Sequence, residues 1–145
     1  MINARRTMLI SAACIAAALT TALVPGSAGA QFAPDTITIA PRGQIAKDGT
    51  LVLSGTYRCS SLRSGPVLIG SNATQGEARA EIDGALATCD DRVHTWRETT
   101  DPAVGFAPGK ARGTAALIHL DASRSFVPLP VILNTDDREV TLRRG

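Results

Sequence analysis

Along the chain, short stretches alternate polar and apolar residues, the period-two signature of strands that keep one face toward a core. Thr36-Ile37-Thr38-Ile39-Ala40 is the first of them, ended by Pro41-Arg42-Gly43. After an Asp48-Gly49 turn, Thr50 to Cys59 is the longest, with Leu51, Leu53, Gly55, Tyr57 and Cys59 on its inward face. Pro66 to Thr74 is aliphatic enough to be central, and Ala78 to Ile82 is short and tolerant of helix. Asp83-Gly84 predicts a turn before a strand over Ala85 to Cys89, and Asp90-Asp91 turns the chain into Arg92 to Thr99, where His94 and Trp96 share a face. The run from Thr100 to Lys110, with two Pro and two Gly, predicts a loop anchored by Phe106. Ala111 to Leu120 resumes strand character. Phe126 to Leu133 is an edge candidate because its prolines cannot donate to a ladder, and Glu139 to Leu142 is a short closing strand.

Seven or eight short strands with turn signals between nearly every pair predict an all-β fold, an immunoglobulin-like β-sandwich of about seven strands, with a small β-barrel as the alternative. Two Cys and a lone Trp suit an immunoglobulin core. Trp96 follows the second Cys instead of lying between the two, which leaves the topology open.

The first thirty residues follow another pattern. Arg5 and Arg6 precede an uncharged apolar run, Met8 to Leu19, which loosens through Thr20, Thr21, Pro25 and Gly26. Ala28-Gly29-Ala30 then supplies the small-x-small site of a signal peptidase, so residues 1–30 read as a signal peptide cut between Ala30 and Gln31. The apolar run decays too early for a retained spanning helix. Ser11-Ala12-Ala13-Cys14 is a poor lipobox, lacking the bulky aliphatic residue three places before Cys14, so no stable membrane anchor is expected after cleavage. The arginine pair leaves general and twin-arginine export both open. Residues 31–145 are then a single secreted domain, found outside the cell.

Cleavage removes two of the 15 basic residues and none of the 13 acidic ones, so the mature chain is formally neutral. With Lys and Arg scattered, and Arg143-Arg144 the one adjacent pair, nucleic acid is not an expected partner. Of the three Cys, Cys14 leaves with the signal, and Cys59 and Cys89 remain as an even pair in an oxidising compartment. Pairing them is the simplest reading. A metal site built on them and His94 would need further ligands, and neither a metal nor a cofactor is expected.

Several landmarks point the same way: Gly55-Thr56-Tyr57-Arg58-Cys59, Gly65-Pro66-Val67, Thr88-Cys89-Asp90, His94-Thr95-Trp96, Pro108-Gly109-Lys110-Ala111 and Val127-Pro128-Leu129-Pro130. On these the chain resembles a family of small secreted domains of unknown function from streptomycetes and related actinobacteria, over about the whole mature length. The resemblance implies a signal peptide, a Cys59–Cys89 disulfide and a compact β domain with Cys, Cys and Trp in its core. It implies no reaction.

The residues themselves offer little chemistry. There is no Gly-x-Ser-x-Gly elbow, no His-Glu-x-x-His, no phosphate-binding glycine loop and no free mature Cys. Asp90-Asp91 and Asp136-Asp137 have the composition of a general acid and base, but adjacent acids at strand ends are usually turn formers. His94 and Trp96 read as a packing pair, and His119 lies in an apolar strand. The sequon Asn72-Ala73-Thr74 carries little weight. The expectation is a non-catalytic, secreted β-sandwich that binds an extracellular protein, a glycan or a small ligand, or serves the cell envelope. Its rivals are a small hydrolase or glycan-active enzyme, which would gather Asp90, Asp91, His94 or the Asp136-Asp137 pair round one pocket, and an inhibitor or carrier with an apolar cleft rimmed by Asp101 to Gly109.

Overall fold

The computed structural model describes residues 33–145 except Val104, together with the backbone but not the side chain of Asp83. The expected signal residues Ala28, Ala30 and Gln31, with Cys14, lie outside that range. Eight strands follow in order: β1 Thr36–Ile39, β2 Arg42–Ile45, β3 Thr50–Arg58, β4 Val67–Gln75, β5 Ala78–Leu86, β6 Val93–Pro102, β7 Gly109–Asp121 and β8 Leu129–Arg144.

The longest predicted strand, β3, carries one layer: β1 and β2 lie along one of its edges and β6 along the other. The second layer runs β8-β7-β4-β5, all antiparallel. Pro41 falls between β1 and β2, and past it β2, still paired with β3 at Gln44 and Ile45, also pairs in parallel with the end of β8, from Arg42 opposite Thr141 to Ile45 opposite Arg144. The layers are therefore joined along one seam into a mixed sheet, as in an immunoglobulin-like sandwich. Along the other seam β5 and β6 touch without a strand ladder, so the fold is an open sandwich and not a closed barrel.

Alternation fills the space between the layers. Ile37, Ile39, Leu51, Leu53, Tyr57 and Trp96 meet Val67, Ile69, Ala115, Leu117, Val140 and Leu142, all buried. Small residues on β7 make room for the large ones opposite: a side chain at Gly113 would press on Val140 and Ile39. Phe106 is tucked against the core from the β6–β7 connection, as expected.

Four predicted boundaries are corrected. Asp83-Gly84 makes no reversal but lies inside β5, where the register shifts between Ile69 and Ser71: three steps on β5 face two on β4, a β-bulge. That strand stops at Leu86, so Ala87 to Cys89 belong to a connection. The loop from Thr100 to Lys110 shrinks, because β6 continues to Pro102, opposite Thr50, and β7 starts at Gly109. The edge stretch Phe126 to Leu133 and the closing stretch Glu139 to Leu142 share one strand, β8, bulged where Leu117 faces Asn134 and Ile118 faces Ile132.

Candidate functional site

Antiparallel pairing sets the ends of β3, β5 and β7 and the starts of β4, β6 and β8 at one end of the sandwich. The chain also enters β1 there, with Thr36 opposite Arg58. Three connections meet at this end, and polar side chains and the disulfide tie them down.

Cys59, fully buried at the end of β3, is bonded to Cys89 in the β5–β6 connection, with Cα atoms 4.7 Å apart. The bond does not join the central strands of the two layers, as in antibody domains. It ties a strand end to a connection, which is why Trp96 can follow both cysteines. Beside it the Tyr57 hydroxyl accepts from the Thr88 N–H at 3.0 Å, and the Asp91 N–H donates to the Cys59 carbonyl at 3.1 Å. Tyr57 stacks on His94, its cross-strand partner, with ring centroids 5.4 Å apart. Nε2 of His94 lies 2.7 Å from Oδ1 of Asp90, and that hydrogen bond, helped by the Arg92 N–H, holds the Asp90 carboxyl below its ordinary range.

The β3–β4 connection is held from three sides. Asp35 accepts from the Ser60 N–H at 2.9 Å and pairs with Arg63, while Asp91 accepts from the Ser61 hydroxyl and pairs with Arg58. Asp91 reaches this position in the left-handed region, φ 66°. On the third side, Nε2 of His119 donates to the Ser64 carbonyl at 2.7 Å, and the Leu120 N–H donates to Pro66 at 3.0 Å. Between them Gly65, φ +98°, passes so close under Leu120 that a Cβ would lie 3.0 Å from its carbonyl oxygen.

On this fixed base stand apolar side chains with nothing over them. Leu62 occupies the β3–β4 connection, and Leu86 and Val93 flank the β5–β6 connection. Phe126, Val127, Leu129, Val131 and Ile132 crown the β7–β8 hairpin, with Phe126 fully exposed. Every large exposed hydrophobic residue among the described residues is at this end.

Of the sequence-predicted candidates, Asp90, Asp91 and His94 are brought to this end but spread over two clusters: His94 binds Asp90, and Asp91 faces Ser61 and Arg58. The Asp136-Asp137 pair is not a turn at all. It lies within β8, where Asp136 accepts from the Ile39 N–H at 2.8 Å and pairs with Arg138, and Asp137 pairs with Arg112 of β7. Trp96 is buried, its Nε1 donating to the Thr38 carbonyl at 3.0 Å. Beside Asp101 to Ala103, the first part of the stretch Asp101 to Gly109 expected to rim an apolar cleft, lies a solvent-open depression of about 410 Å³ whose lining includes Arg79, Glu81, Thr99 and Asp101. No group of three or more His, Cys, Asp or Glu among the described residues is arranged to hold a metal ion.

One chemically distinctive side chain was missed. Glu98 of β6 is buried, with Oε2 accepting from the Ser71 hydroxyl of β4 at 2.8 Å and Oε1 from the Ala85 N–H of β5 at 3.2 Å. Burial raises its pKa against the pull of both hydrogen bonds. The signal for it was parity: His94, Trp96, Glu98 and Thr100 share one face of β6, so a core Trp carries a carboxyl inward two residues later.

Fold and site together define a small, disulfide-tied β-sandwich with one apolar end. The chain matches the family model described as "Family of unknown function (DUF6299)" over residues 33–145. It belongs to that family. No curated protein matches it.

Proposed function

We propose that the protein is an exported, non-catalytic recognition module whose working surface is the disulfide end of the sandwich. The observation that carries this reading is the gathering of the exposed large hydrophobic side chains on the three connections that meet there. Large apolar side chains gathered at one end of a domain and left uncovered point to a contact surface. The ties beneath it suit recognition, since a surface held in its bound shape spends less ordering entropy on contact. Export is supported by the charged-then-apolar leader before Ala28-Gly29-Ala30 and by the disulfide. No helix among the described residues is long and apolar enough to cross a membrane.

The test compares the wild-type chain with Phe126→Ser/Leu129→Ser, two exposed positions whose replacement leaves the core untouched. Wild type is expected to retain a specific component of the cell envelope or culture fluid that the variant does not. Turnover of a peptide, ester or glycan substrate that disappears in Asp90→Ala or His94→Ala would overturn the non-catalytic reading.

A further inference from the structure

Val52 of β3 points away from the core, on the parity opposite to Leu51 and Leu53, yet it is only 8% exposed and lies outside the core cluster. Its cover comes from long polar side chains on the outer face of the first layer. Gln44 of β2 stands opposite it, Arg143 of β8 stands beside Gln44, and Arg97 of β6 faces Ser54, the next outward residue of β3. With Arg42, the outward residue before Gln44, these side chains line a solvent-open depression of about 270 Å³ over Val52. The three arginines are far apart in sequence. The parallel pairing of β2 with β8 and the ladder of β3 with β6 bring them to one place.

Their charge is not answered by the protein. Arg58, Arg63, Arg112, Arg138 and Lys110 each reach a carboxylate, whereas among the described residues no carboxylate lies within ion-pair distance of Arg42, Arg97 or Arg143. No acidic residue lines the depression. The neighbouring one past Gln44 differs: its lining includes Lys47, Asp48 and Gly145, so it carries both signs, and Asp48 turns its carboxyl back to the Thr50 N–H at 2.9 Å. Three like charges gathered over an apolar floor repel one another more strongly than in open water, and an anion among them relieves that repulsion.

The donors define the anion. A carboxylate presents two oxygens in one plane and is satisfied by a single guanidinium, whereas three guanidinium forks from three strands, with the Ser54 hydroxyl and the Gln44 amide, suit a multiply charged tetrahedral group. The volume is near the lower end of small-molecule sites, room for a phosphate and a short organic residue. A single depression offers none of the run of contacts that a nucleic-acid backbone needs.

We infer that the outer face of the first layer holds a phosphate-binding site, formed by Arg42, Arg97 and Arg143 with Gln44 and Ser54, that takes the phosphate ion or the phosphate group of a small ester. Arg143 stands at the opposite end of β8 from the β7–β8 hairpin, so the site is separate from the apolar end and does not depend on it.

The test is calorimetric titration of the full chain, as recovered from an exporting host, with inorganic pyrophosphate, inorganic phosphate, glycerol phosphate and methyl sulfate, in chloride at constant ionic strength. One anion is expected per chain, with pyrophosphate and phosphate bound more tightly than the singly charged methyl sulfate. Glycerol phosphate binding more tightly than phosphate makes a polyol ester the source of the group, and the reverse order makes it the free ion. Arg42→Gln/Arg97→Gln, its folding checked by melting in chloride, should bind pyrophosphate at least about tenfold more weakly. Arg143→Gln, near the end of β8, disturbs folding least and should weaken binding by itself. Arg79→Gln/Arg124→Gln removes the same charge as the first double variant from exposed positions elsewhere and should leave binding unchanged. The inference is overturned if no phosphate or pyrophosphate binds at millimolar concentration, or if methyl sulfate binds as well as phosphate. Equal loss of affinity in the two double variants overturns it too, since net charge alone would then account for the binding.

Discussion

Glu98 on β6 accepts a hydrogen bond from Ser71 on β4 at 2.8 Å, so a carboxyl group links the two layers through the core. Its second oxygen takes the Ala85 N–H of β5, across the seam where β5 and β6 form no ladder. The group is buried, and desolvation raises its pKa from the ordinary value of 4.5. The folded state therefore binds a proton more tightly than the unfolded chain. The stabilisation from this proton is present below the unfolded pKa and is lost as pH rises through the folded one.

Stability should accordingly fall as pH rises from about 4.5 toward neutral, with a slope from this one group of at most about 1.4 kcal/mol per pH unit. Glu98→Gln keeps both contacts, its amide oxygen accepting from Ala85 and its NH2 donating to Ser71, and removes the ionisation. The difference between wild-type and variant melting temperatures across that range isolates the group. A constant difference would show that Glu98 titrates as it does in the unfolded chain.

Trp96 reaches the Thr38 carbonyl by passing over Gly55, which lies between Ile39 and Trp96 in the ladder. A Cβ at 55 would lie 1.8 Å from the Thr38 oxygen and 2.7 Å from the indole nitrogen, the first a backbone contact that no rotamer change relieves. Gly55→Ala should therefore yield little folded protein. Trp96→Phe retains most of the apolar volume and loses the hydrogen bond, at a cost of about 2 kcal/mol read from urea midpoints.

These two sites also mark where sequence reading succeeds and where it stops. The inward set of β3 was legible because Leu51, Leu53, Tyr57 and Cys59 share one parity, even though Val52 between them is buried too, and the cysteine pair was legible by even count once Cys14 was assigned to the leader. Gly55 was placed on the inward face, but its reason, the indole crossing it, depends on a cross-strand partner that sequence does not name. Asp83-Gly84 and Asp136-Asp137 carry turn residues, yet both lie inside strands. The first pair is absorbed by a bulge opposite Ile69 to Ser71, and in the second Asp136 serves β1 while Asp137 pairs with β7. Turn chemistry is local, and these positions are fixed by strands distant in sequence. The apolar end was invisible for the same reason: Leu62, Leu86, Val93 and Phe126 are separated along the chain and meet only through the topology.

The disulfide closes a loop of 30 residues between a buried strand end and a connection. Replacing both cysteines by Ala should lower stability by about 3–4 kcal/mol in the chain-entropy account of such loops. The loss should be larger in hydrogen exchange at Thr88 and Asp91, whose N–H groups bond to Tyr57 and Cys59, than in the middle of β7. Intact mass before and after reduction should show two alkylated thiols only after reduction, on a chain beginning at Gln31.

Strand β1 has a ladder on one side alone, with β3. On its other side two side chains of β8 stand in for a strand: Asn134 Oδ1 accepts from Ile37 at 3.0 Å and Asp136 Oδ2 from Ile39 at 2.8 Å. The donors belong to two buried core residues, so removing the acceptors leaves those N–H groups without partners. Asn134→Ala and Asp136→Ala should each cost about 1–2 kcal/mol. Asp136→Asn should cost less, since the amide oxygen still accepts. Exchange of the Ile37 and Ile39 amides should accelerate in the alanine variants, while that of the β4–β7 ladder follows only the global loss of stability. If both regions accelerate equally, β1 is held by its ladder with β3, and the side-chain bridge contributes nothing of its own.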